Sequence, residues 1–421
     1  MSKVNLEKII DFGPTRPLSK NAVARFVEMA ALKSNQRKID SPEVFKSFSG
    51  GAKFKNGDTL FARITPCMEN GKTSYVDFLK GSDIGFGSTE FIVMASKSGV
   101  HKFAYYVATS PDFRKFAQQH MDGTSGRQRV NAKDLKKYQI INFSKIEQQA
   151  IATILSSFDD KIELNNAMNK TLEEMAQTLF HSWFVEFDIV KAKKAGKKIE
   201  GFSQEIIDLF PDDFEDVEGF GLVPCGWGVE KIGDVIKRVP SGIKYSQKNV
   251  FTNGAVPVID QGKSALIGFH NDSPGVNASI ENPIIVFANH TCYMNIFHYP
   301  FSTIQNVLPF VGKRRPIYWT YFATRDKIKF SEYKGHFPDF CSRRVIVPSL
   351  KISEKYDVIV KNMMIKSHEN IQENERLAQT RDALLSKLIS GEMRVKDAEK
   401  FLARMEGIKN DTSQEVPNPS V

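Results

Sequence analysis

Two helical segments with the same unusual pattern lie about 205 residues apart, and they constrain the fold more than any other feature. The first, Ile146–Phe187, contains no Gly or Pro, and its apolar residues recur mostly at steps of three and four. This spacing predicts a long amphipathic helix. The second segment, Ser367–Ile389, predicts a similar helix. Each apolar seam is interrupted by two asparagines that match at this offset: Asn165 with Asn370, and Asn169 with Asn374.

Apolar seam positions match at the same offset, Leu172 with Leu377 and Leu179 with Leu384. A polar residue in a helical seam costs stability and fixes register. The repeated asparagines therefore predict that the two helices pair with each other and that the chain is a long-period tandem repeat. The alternative is a pair of long helices that pack on unrelated domains.

The net charge of +9 is concentrated in two segments. Residues 1–145 contain 24 Lys and Arg against 13 Asp and Glu, and residues 226–350 contain 15 against 8. Residues 146–187 contain only 2 against 7. Two separate basic bodies indicate two contacts with a polyanion such as nucleic acid. An ordinary basic surface is the alternative interpretation.

The cysteines and the hydropathy pattern bound the cellular context. The four cysteines lie far apart and form no CxxC pair, which argues against a zinc site or a disulfide framework: Cys67, Cys225, Cys292 and Cys341. No apolar run approaches the roughly 20 residues of a membrane-spanning helix, and the N-terminus has no signal-peptide pattern. We therefore expect a cytoplasmic protein that has no membrane partner.

Residues 1–145 are expected to form a mixed α/β domain. The sequence predicts short strands within Asp58–Pro66 and Gly87–Met94 and a helix over Val100–Gln119, whose second part begins at Pro111. A polar loop, GTSGRQRV at Gly123–Val130, follows. A helical turn and a strand at residues 135–143 complete the domain.

The rest of the chain is divided at residues 188, 226, 351 and 409. Residues 188–225 are expected to be a linker with a short helix near Gln204–Leu209. Its basic tract Lys191–Lys198 is expected to be solvated, although contact of these lysines with a DNA phosphate is an alternative. Residues 226–350 are expected to form a second α/β domain. Residues 351–408 should form the second helical spacer, and 409–421 a disordered tail.

The second domain is expected to share its layout with the first. A β-hairpin is predicted over Pro257–Asn271, and a buried strand at Pro283–Asn289 takes the place of Asp58–Pro66. Ile304–Phe310 then corresponds to the strand at Gly87–Met94, and Tyr318–Thr324 corresponds to the helix near Tyr105. The two segments share little identity, which is the pattern of one scaffold with two different recognition surfaces.

The sequence contains no recognisable catalytic constellation. Phosphate-loop, HExxH, GxSxG, dinucleotide-binding and NPPY-like motifs are absent, and the eight histidines are scattered. We therefore expect a binding protein with no catalytic residues, no metal and no cofactor of its own. A methyltransferase with an unrecognised donor site and a helical scaffold protein with incidental basic surfaces are the alternatives.

The side chains that suit DNA recognition fall in the two basic segments. Arg pairs with guanine, Asn or Gln with adenine, and Ser or Thr with either, whereas Lys, Arg and backbone N–H groups hold phosphates. The candidates in the first segment are Arg63, Thr65, Lys72, Thr73, Thr124, Ser125, Arg127, Gln128 and Arg129. Those in the second are Lys244, Lys248, Asn289, His290, Lys313, Arg314, Arg315, Lys334, His336, Arg343 and Arg344. The GTSGRQR loop has a second interpretation, as a structural turn that caps the next helix at Asn131.

These stretches resemble the specificity subunits of type I restriction–modification enzymes. The resemblance is carried by TLFARITPCMENGK with GFGSTEFIVM, by GTSGRQRVNAKDLKKYQI, by the whole first helix, by the linker EIIDLFPDDFEDVEGFGLVPCGW, and by ENERLAQTRDALLSKLISGEM. Together they cover nearly the whole chain in order, and the helix and the STEF strand are the most specific parts.

The resemblance implies an α+β fold with pseudo-two-fold symmetry. Two target-recognition domains would each bind one half of a bipartite site on double-stranded DNA, and the two long helices would pair as an antiparallel coiled coil. The subunit would be non-catalytic. It would bind two modification subunits that methylate adenine N6, and restriction subunits in the full complex.

Two further observations bear on this resemblance. Residues 160–184 span roughly 36 Å at about 1.5 Å per residue, close to one turn of B-DNA. A helical spacer of this length would hold two recognition domains one turn apart. One departure is visible, because Arg381 lies near the seam where the first helix has Ala176 and Leu179. This difference predicts a local break in two-fold packing.

Overall fold

The computed structural model divides the chain into two units that share one strand arrangement. Unit 1 contains Met1–Asn165 and Gln372–Val421, and unit 2 contains Asn166–Ile371. The structure describes residues 2–39, 43–124, 126–262, 266–332, 334–400 and 403. The predicted tail at 409–421, most of residues 401–408 and the candidate Ser125 therefore lie outside the described residues.

Unit 1 is built from short strands and three short α-helices. The strands are β1 (Lys3–Asn5), β2 (Ile10–Phe12), β3 (Val23–Val27), β4 (Phe45–Ser47), β5 (Ala52–Phe54), β6 (Thr59–Ala62), β7 (Thr73–Tyr75), β8 (Gly85–Gly87), β9 (Phe91–Ser96), β10 (Met121–Asp122), β11 (Arg129–Val130) and β12 (Gln139–Ile141). The helices are α1 (His101–Thr109), α2 (Pro111–Gln119) and α3 (Ala132–Leu135), with 3-10 turns at Leu6–Lys8 and Met29–Ala31.

The predicted strands and helices of unit 1 are confirmed with shifted ends. Strand β6 pairs antiparallel with β9, and the helix predicted over Val100–Gln119 is broken before Pro111 as expected. Proline is favoured in the first helical turn because its missing N–H has no partner there. The central sheet has the order β2-β9-β6-β7, and a second sheet has the order β4-β3-β8-β5.

Two long helices, α4 (Lys145–Phe184) and α10 (Leu350–Ser390), each contribute residues to both units. The other elements of unit 2 belong to that unit alone. Its own helices are α5 (Asp188–Lys194), α6 (Gln204–Ile207), α7 (Ile232–Val235), α8 (Ile317–Thr324) and α9 (Phe337–Ser342). Its strands are β13 (Phe214–Val217), β14 (Gly221–Pro224), β15 (Gly228–Lys231), β16 (Ile236–Arg238), β17 (Lys244–Tyr245), β18 (Val256–Ile259), β19 (Leu266–His270), β20 (Ile284–Ala288), β21 (Met294–Phe297), β22 (Ser302–Ile304), β23 (Val307–Gly312) and β24 (Arg344–Val347).

The central sheets of the two units have the same strand order. In unit 2 the order is β16-β23-β20-β21, which repeats β2-β9-β6-β7 position by position. In both sheets the third strand pairs antiparallel with its two neighbours. Each unit also has a two-stranded antiparallel sheet, β1 with β12 in unit 1 and β15 with β24 in unit 2. The predicted hairpin within Pro257–Asn271 is confirmed by the antiparallel pair β18–β19.

Each unit has its own apolar core, and the long helices contribute to both cores. In unit 1, Phe158 of α4 and Leu384 of α10 join a core that contains Phe103 and Phe113. In unit 2, Trp183 of α4 joins an aromatic core that includes Trp319 and Tyr356. Helix α10 begins at Leu350, next to the start of the spacer expected at 351–408 and before the matched segment that begins at Ser367. Its first turns place Ile352, Tyr356 and Val360 in this core at helical spacing.

The segment at residues 188–225 is folded, and the short helix expected near Gln204–Leu209 is confirmed as α6. The basic tract Lys191–Lys198 is mostly exposed, as expected for a solvated charge run. Ile189 and Val190 of α5 are buried in the unit 2 core, and β13 and β14 form a hairpin. The basic and acidic runs partly neutralise each other, since Lys193 Nζ lies 2.5 Å from Asp212 and Lys194 Nζ lies 2.6 Å from Asp213.

Candidate nucleic-acid interface

The first candidate site lies where β6 ends and β9 begins. Arg63 follows β6, and its backbone N–H donates to the Glu90 carbonyl at 3.0 Å, while the Val130 N–H donates to the Arg63 carbonyl at 2.9 Å. Thr65 and Gln128 exchange backbone and hydroxyl hydrogen bonds at 3.0 Å. The GTSGRQRV loop is therefore fastened to this end of the central sheet. We call this group of residues the loop site of unit 1: Arg63, Thr65, Glu90, Gly123, Thr124 and Gly126–Val130.

A charged pair dominates the loop site of unit 1. Arg129 donates through Nε to both oxygens of Glu90 at 3.0 Å and through Nη2 to Oε1 at 2.7 Å. Arg63 also approaches this carboxylate, with Nε 3.7 Å from Oε2. The hydrogen bonds from Arg129 lower the pKa of Glu90 below its usual value. Glu90 is the functional candidate that the sequence analysis missed.

The other unit 1 candidates differ in their access to a ligand. Thr124 and Arg127 are exposed, and Gln128 is half-buried. The Lys72 amine donates to the Met29 carbonyl at 3.2 Å. Thr65 and Thr73 are buried, Thr73 with 2% exposure, because one fastens the loop and the other lies inside the central sheet. Neither of these two threonines therefore offers its hydroxyl to DNA in this structure.

The alternative interpretation of the GTSGRQR loop is a structural turn that caps the next helix at Asn131. The structure does not show a side-chain cap at this residue. Asn131 precedes α3, but its side chain makes no capping hydrogen bond to that helix. The backbone carbonyl of Asn131 accepts from Asp134 and Leu135 instead. The loop is fixed by its contacts with residues 63–65, so its placement depends on the end of β6.

The corresponding end of the unit 2 sheet carries the second candidate site. Asn289 follows β20 as Arg63 follows β6, and its N–H donates to the Asn306 carbonyl at 2.8 Å. Asn306 thus occupies the place of Glu90. The segment that precedes α9 closes this site, since the His336 N–H donates to the Asn289 carbonyl at 2.9 Å and His290 Nδ1 lies 2.8 Å from the Lys334 carbonyl. We call these residues the loop site of unit 2: Gln261, Asn289, His290, Asn306 and Lys334–His336.

The side chains at the loop site of unit 2 are amides and imidazoles with one lysine. The Gln261 carbonyl oxygen Oε1 accepts from the His290 N–H at 2.9 Å, and Asn289 Oδ1 accepts from the Phe337 N–H at 2.8 Å. Lys334 lies 3.1 Å from Glu332 and 3.4 Å from Asp339. His336 is buried with 1% exposure, and this residue is therefore a support for the loop and not a DNA contact.

The remaining unit 2 candidates lie elsewhere. Lys313, Arg314 and Arg315 follow β23, at the opposite end of this six-residue strand from Asn306, which is about 20 Å at 3.3 Å per residue. Arg315 Nη1 donates to the Pro348 carbonyl at 2.8 Å. These three cations are therefore separated from the loop site of unit 2.

The four other cationic candidates of unit 2 differ in exposure and in contacts. Lys248 and Arg343 are exposed, and the guanidinium of Arg344 lies over the Phe220 ring. Lys244 donates to the Thr303 hydroxyl at 2.7 Å, and burial together with the charge of Arg238 lowers its pKa. Lys244 is thus exposed as a residue, but its amine is held by a hydrogen bond to the domain.

The seam asparagines are paired within each unit. In unit 1, Asn165 Nδ2 donates to Asn374 Oδ1 and to Glu373 Oε2, both at 2.9 Å. In unit 2, Asn370 Nδ2 donates to Asn169 Oδ1 at 2.8 Å. Asn165 is fully buried, and its Oδ1 has no hydrogen-bond partner among the described residues. The two amide pairs are counterparts at the 205-residue offset.

The leucines predicted to join the helices are buried to different degrees. Leu384 is buried in the unit 1 core, and Leu377 packs against that core. Leu179 packs against the unit 2 core, and Leu172 is half-buried. In both units, a higher residue number on α4 pairs with a lower residue number on α10. The paired segments are therefore antiparallel in each unit.

Arg381 departs from the repeat because it forms a buried ion pair. Its guanidinium contacts the Asp159 carboxylate of α4, and Asp159 Oδ2 also accepts from the Tyr106 hydroxyl at 2.6 Å. Burial by itself lowers the pKa of Arg381, but Asp159 and Asp382 raise it overall. At the repeat counterpart, Ala176 is buried and its carbonyl accepts from the Tyr356 hydroxyl at 3.0 Å.

The described residues form neither a membrane span nor a metal cluster. Among residues 2–400, apart from the gaps given above, no helix is long and apolar enough to cross a membrane. The same part of the chain contains no group of three or more His, Cys, Asp or Glu side chains arranged to hold a metal ion.

Comparison with known proteins relates the chain to one family. The type I restriction modification DNA specificity domain matches residues 14–174. The specificity subunit of the type I restriction enzyme HindI from Haemophilus influenzae is 24% identical over 414 residues, which covers 83% of this chain and 89% of that protein. The MjaIX specificity subunit from Methanocaldococcus jannaschii is 27% identical over 324 residues, which covers 71% and 70%.

A solved structure was also found. The S subunit of a type I restriction–modification system from M. genitalium is similar with a TM-score of 0.48 and 17% identity, over 92% of this chain and 96% of that chain.

Proposed function

Because the chain belongs to the specificity subunits of type I restriction–modification enzymes, we propose that its two units recognise the two halves of a bipartite DNA site. The observation that carries this proposal is the pair of loop sites. Each lies at the same end of a central sheet with the same strand order, and each is closed by the segment that leads into the last short helix. One scaffold thus presents two different sets of side chains.

The chemistry of the two loop sites suits DNA in different ways. The loop site of unit 1 offers guanidinium groups, which pair with guanine, and the exposed Arg127. The loop site of unit 2 offers Asn289, His290 and Lys334. Amide side chains suit adenine, and the cation suits a phosphate. Two recognition surfaces of unlike chemistry support a target with two unlike half-sites.

We further propose that α4 and α10 form an antiparallel coiled coil whose register is set by the four seam asparagines. The buried amide pairs, one in each unit, support this proposal, since a slipped register would leave amides buried without partners. The matching strand orders support the tandem repeat in the same way. The outer faces of these helices would then bind two modification subunits.

The chain would contribute recognition and not catalysis. In the complete enzyme, the modification subunits would supply the cofactor and methylate adenine, and restriction subunits would join them for cleavage. The name of each curated relative, a specificity subunit of a type I restriction enzyme, supports this division of roles.

A gel-shift assay with the full chain and its modification subunits tests the proposal. Probes would carry the methylation site of the host, with base changes confined to one half-site, and a second set would change only the spacer. We expect changes in either half-site to weaken binding by about 1–3 kcal/mol per mismatched pair. Equal binding to every probe would contradict the proposal. Assembly that is insensitive to salt and needs no DNA would favour a scaffold, and binding of S-adenosylmethionine by the chain alone would favour a methyltransferase.

A further inference from the structure

Glu90 and Arg129 form a pair whose geometry leaves one edge of the arginine unused. The carboxylate occupies Nε and one N–H of Nη2. An arginine has five N–H donors in a rigid planar fork. Nη1 and the second N–H of Nη2 therefore remain, and neither bonds to another of the described residues. The side chain of Arg129 is 41% exposed, so this edge is open to a ligand.

The backbone around the pair holds both residues in place. Arg63 lies between them, since its N–H donates to the Glu90 carbonyl and its carbonyl accepts from Val130. A bridge between Ile64 and Arg129 adds a further antiparallel contact. The Glu90 N–H also donates to the Ser88 hydroxyl at 3.1 Å. The guanidinium is thus oriented by a side chain whose own backbone is fixed, which lowers the entropy that binding would cost.

The carboxylate also changes what the arginine can bind. A free arginine attracts phosphates through its charge, whereas an arginine paired with a carboxylate has lost most of that attraction. It retains its fork of donors, which matches the O6 and N7 acceptors of guanine in the major groove. Arg127, in the same loop, has no such partner among the described residues and keeps its full charge for phosphate.

We propose that Glu90 is a positioning residue that presents the free edge of Arg129 to a guanine, so that the half-site recognised by unit 1 contains a G·C pair at that position. This inference rests on the proposed function and deepens it by naming one base pair. The loop site of unit 2 has Asn306 in place of Glu90 and Lys334 in its closing segment. It therefore lacks this pair, and the inference concerns one half-site only.

The experiment selects DNA from a pool in which both half-sites are randomised, using the full chain assembled with its modification subunits. The variants are E90Q, which removes the paired charge, and R129K, which keeps the charge and removes the fork. E43Q is the matched control, because Glu43 is an exposed carboxylate of unit 1 that pairs with Arg25 at 3.0 Å.

We expect the unaltered chain to require guanine at one position of one half-site. The preference at that position should be the one that R129K changes. E90Q and R129K should each reduce the preference for guanine there by a factor of about 5–150, the range for one bidentate contact. Preferences at the other positions and in the other half-site should persist, which also shows that both variants are folded. E43Q should retain the guanine preference.

Three results would overturn the inference. They are a unit 1 half-site without a G·C pair, an E90Q variant that keeps the full guanine preference, and a loss of preference that spreads over all positions. A chain with no sequence preference in either half-site would instead contradict the proposed function itself. The two failures are thus distinguishable in one selection.

Discussion

Replacement of Arg381 by alanine should destabilise unit 1 strongly while leaving the charge on Asp159. Asp159 is 3% exposed and Arg381 is 8% exposed, so the ion pair between α4 and α10 is largely shielded from water. In R381A the carboxylate would keep only the hydrogen bond from Tyr106. Removal of one partner from a buried ion pair typically costs about 3–5 kcal/mol. We expect a loss of this size in the free energy of unfolding of unit 1.

Amide hydrogen exchange measured by mass spectrometry can assign this loss to one unit. A cost of about 3–5 kcal/mol corresponds to exchange that is faster by roughly two to four orders of magnitude for amides that exchange through opening of unit 1. The peptides to follow come from α1 and from the first turns of α4. D382N is the matched control, because Asp382 also pairs with Arg381 but is largely exposed, and it should cost at most about 1 kcal/mol.

A double variant tests the cause of the effect. D159M/R381A places at each position the residue that the other half of the repeat has there, Met364 and Ala176. It leaves no buried charge, and its main polar loss is the partner of the Tyr106 hydroxyl. We expect it to be more stable than R381A by at least about 1 kcal/mol. A cost below about 1 kcal/mol for R381A, or a double variant that is less stable than R381A, would show that the unpaired Asp159 carboxylate is not the source of the instability.

Three other predictions concern the seam, the pH dependence of unit 2 and the DNA contacts. Replacement of Asn165, Asn169, Asn370 and Asn374 by leucine should raise the midpoint of urea unfolding, and the register proposal fails if spacer preference and assembly then stay unchanged. Burial and the nearby His368 lower the pKa of His298 to about 4, so its unfolded form binds a proton that the folded form does not. The free energy of unfolding of unit 2 should therefore fall by up to about 1.4 kcal/mol per pH unit as the pH drops from about 6.5 to about 4, and an H298N variant should lose this slope in urea titrations. K248A should weaken binding to all DNA sequences alike and flatten the slope of log affinity against log salt by about 0.9, whereas an altered base preference would contradict a phosphate contact.

The elements with a strong sequence period were predictable, and those without one were not. The absence of Gly and Pro and the helical spacing of apolar residues predicted α4 almost to its ends. The second sheet of unit 1 escaped prediction because β4, β5 and β8 have three residues each, too few to show alternation. Within the spacer expected at 351–408, the helical pattern was recognised only from Ser367, because the early turns of α10 contain the β-branched residues Ile352 and Val360, which favour strands.

At the candidate site, residue type indicated the right loops but not the pairing of side chains. Arg63, Gln128 and Arg129 were predicted separately, and the structure brings them together because β6 and the GTSGRQRV loop meet at one sheet end. Glu90 was passed over because it stands in a strand pattern, 39 residues from Arg129. The signal in the sequence that could have indicated Glu90 is its position as a charged residue directly before the apolar strand β9. Burial of Thr73 and His336 depends on tertiary packing, which residue type does not determine.

Recognition of a bipartite site can be measured by mapping the methylated adenines in the genome of a host that carries this chain. We expect these adenines to fall in one split motif, with two specified half-sites separated by a gap of unspecified bases. Variants in the loop site of unit 1 should change one half of that motif only, and variants in the loop site of unit 2 the other half only. A single uninterrupted motif, or a change in both halves from a variant in one loop site, would contradict it.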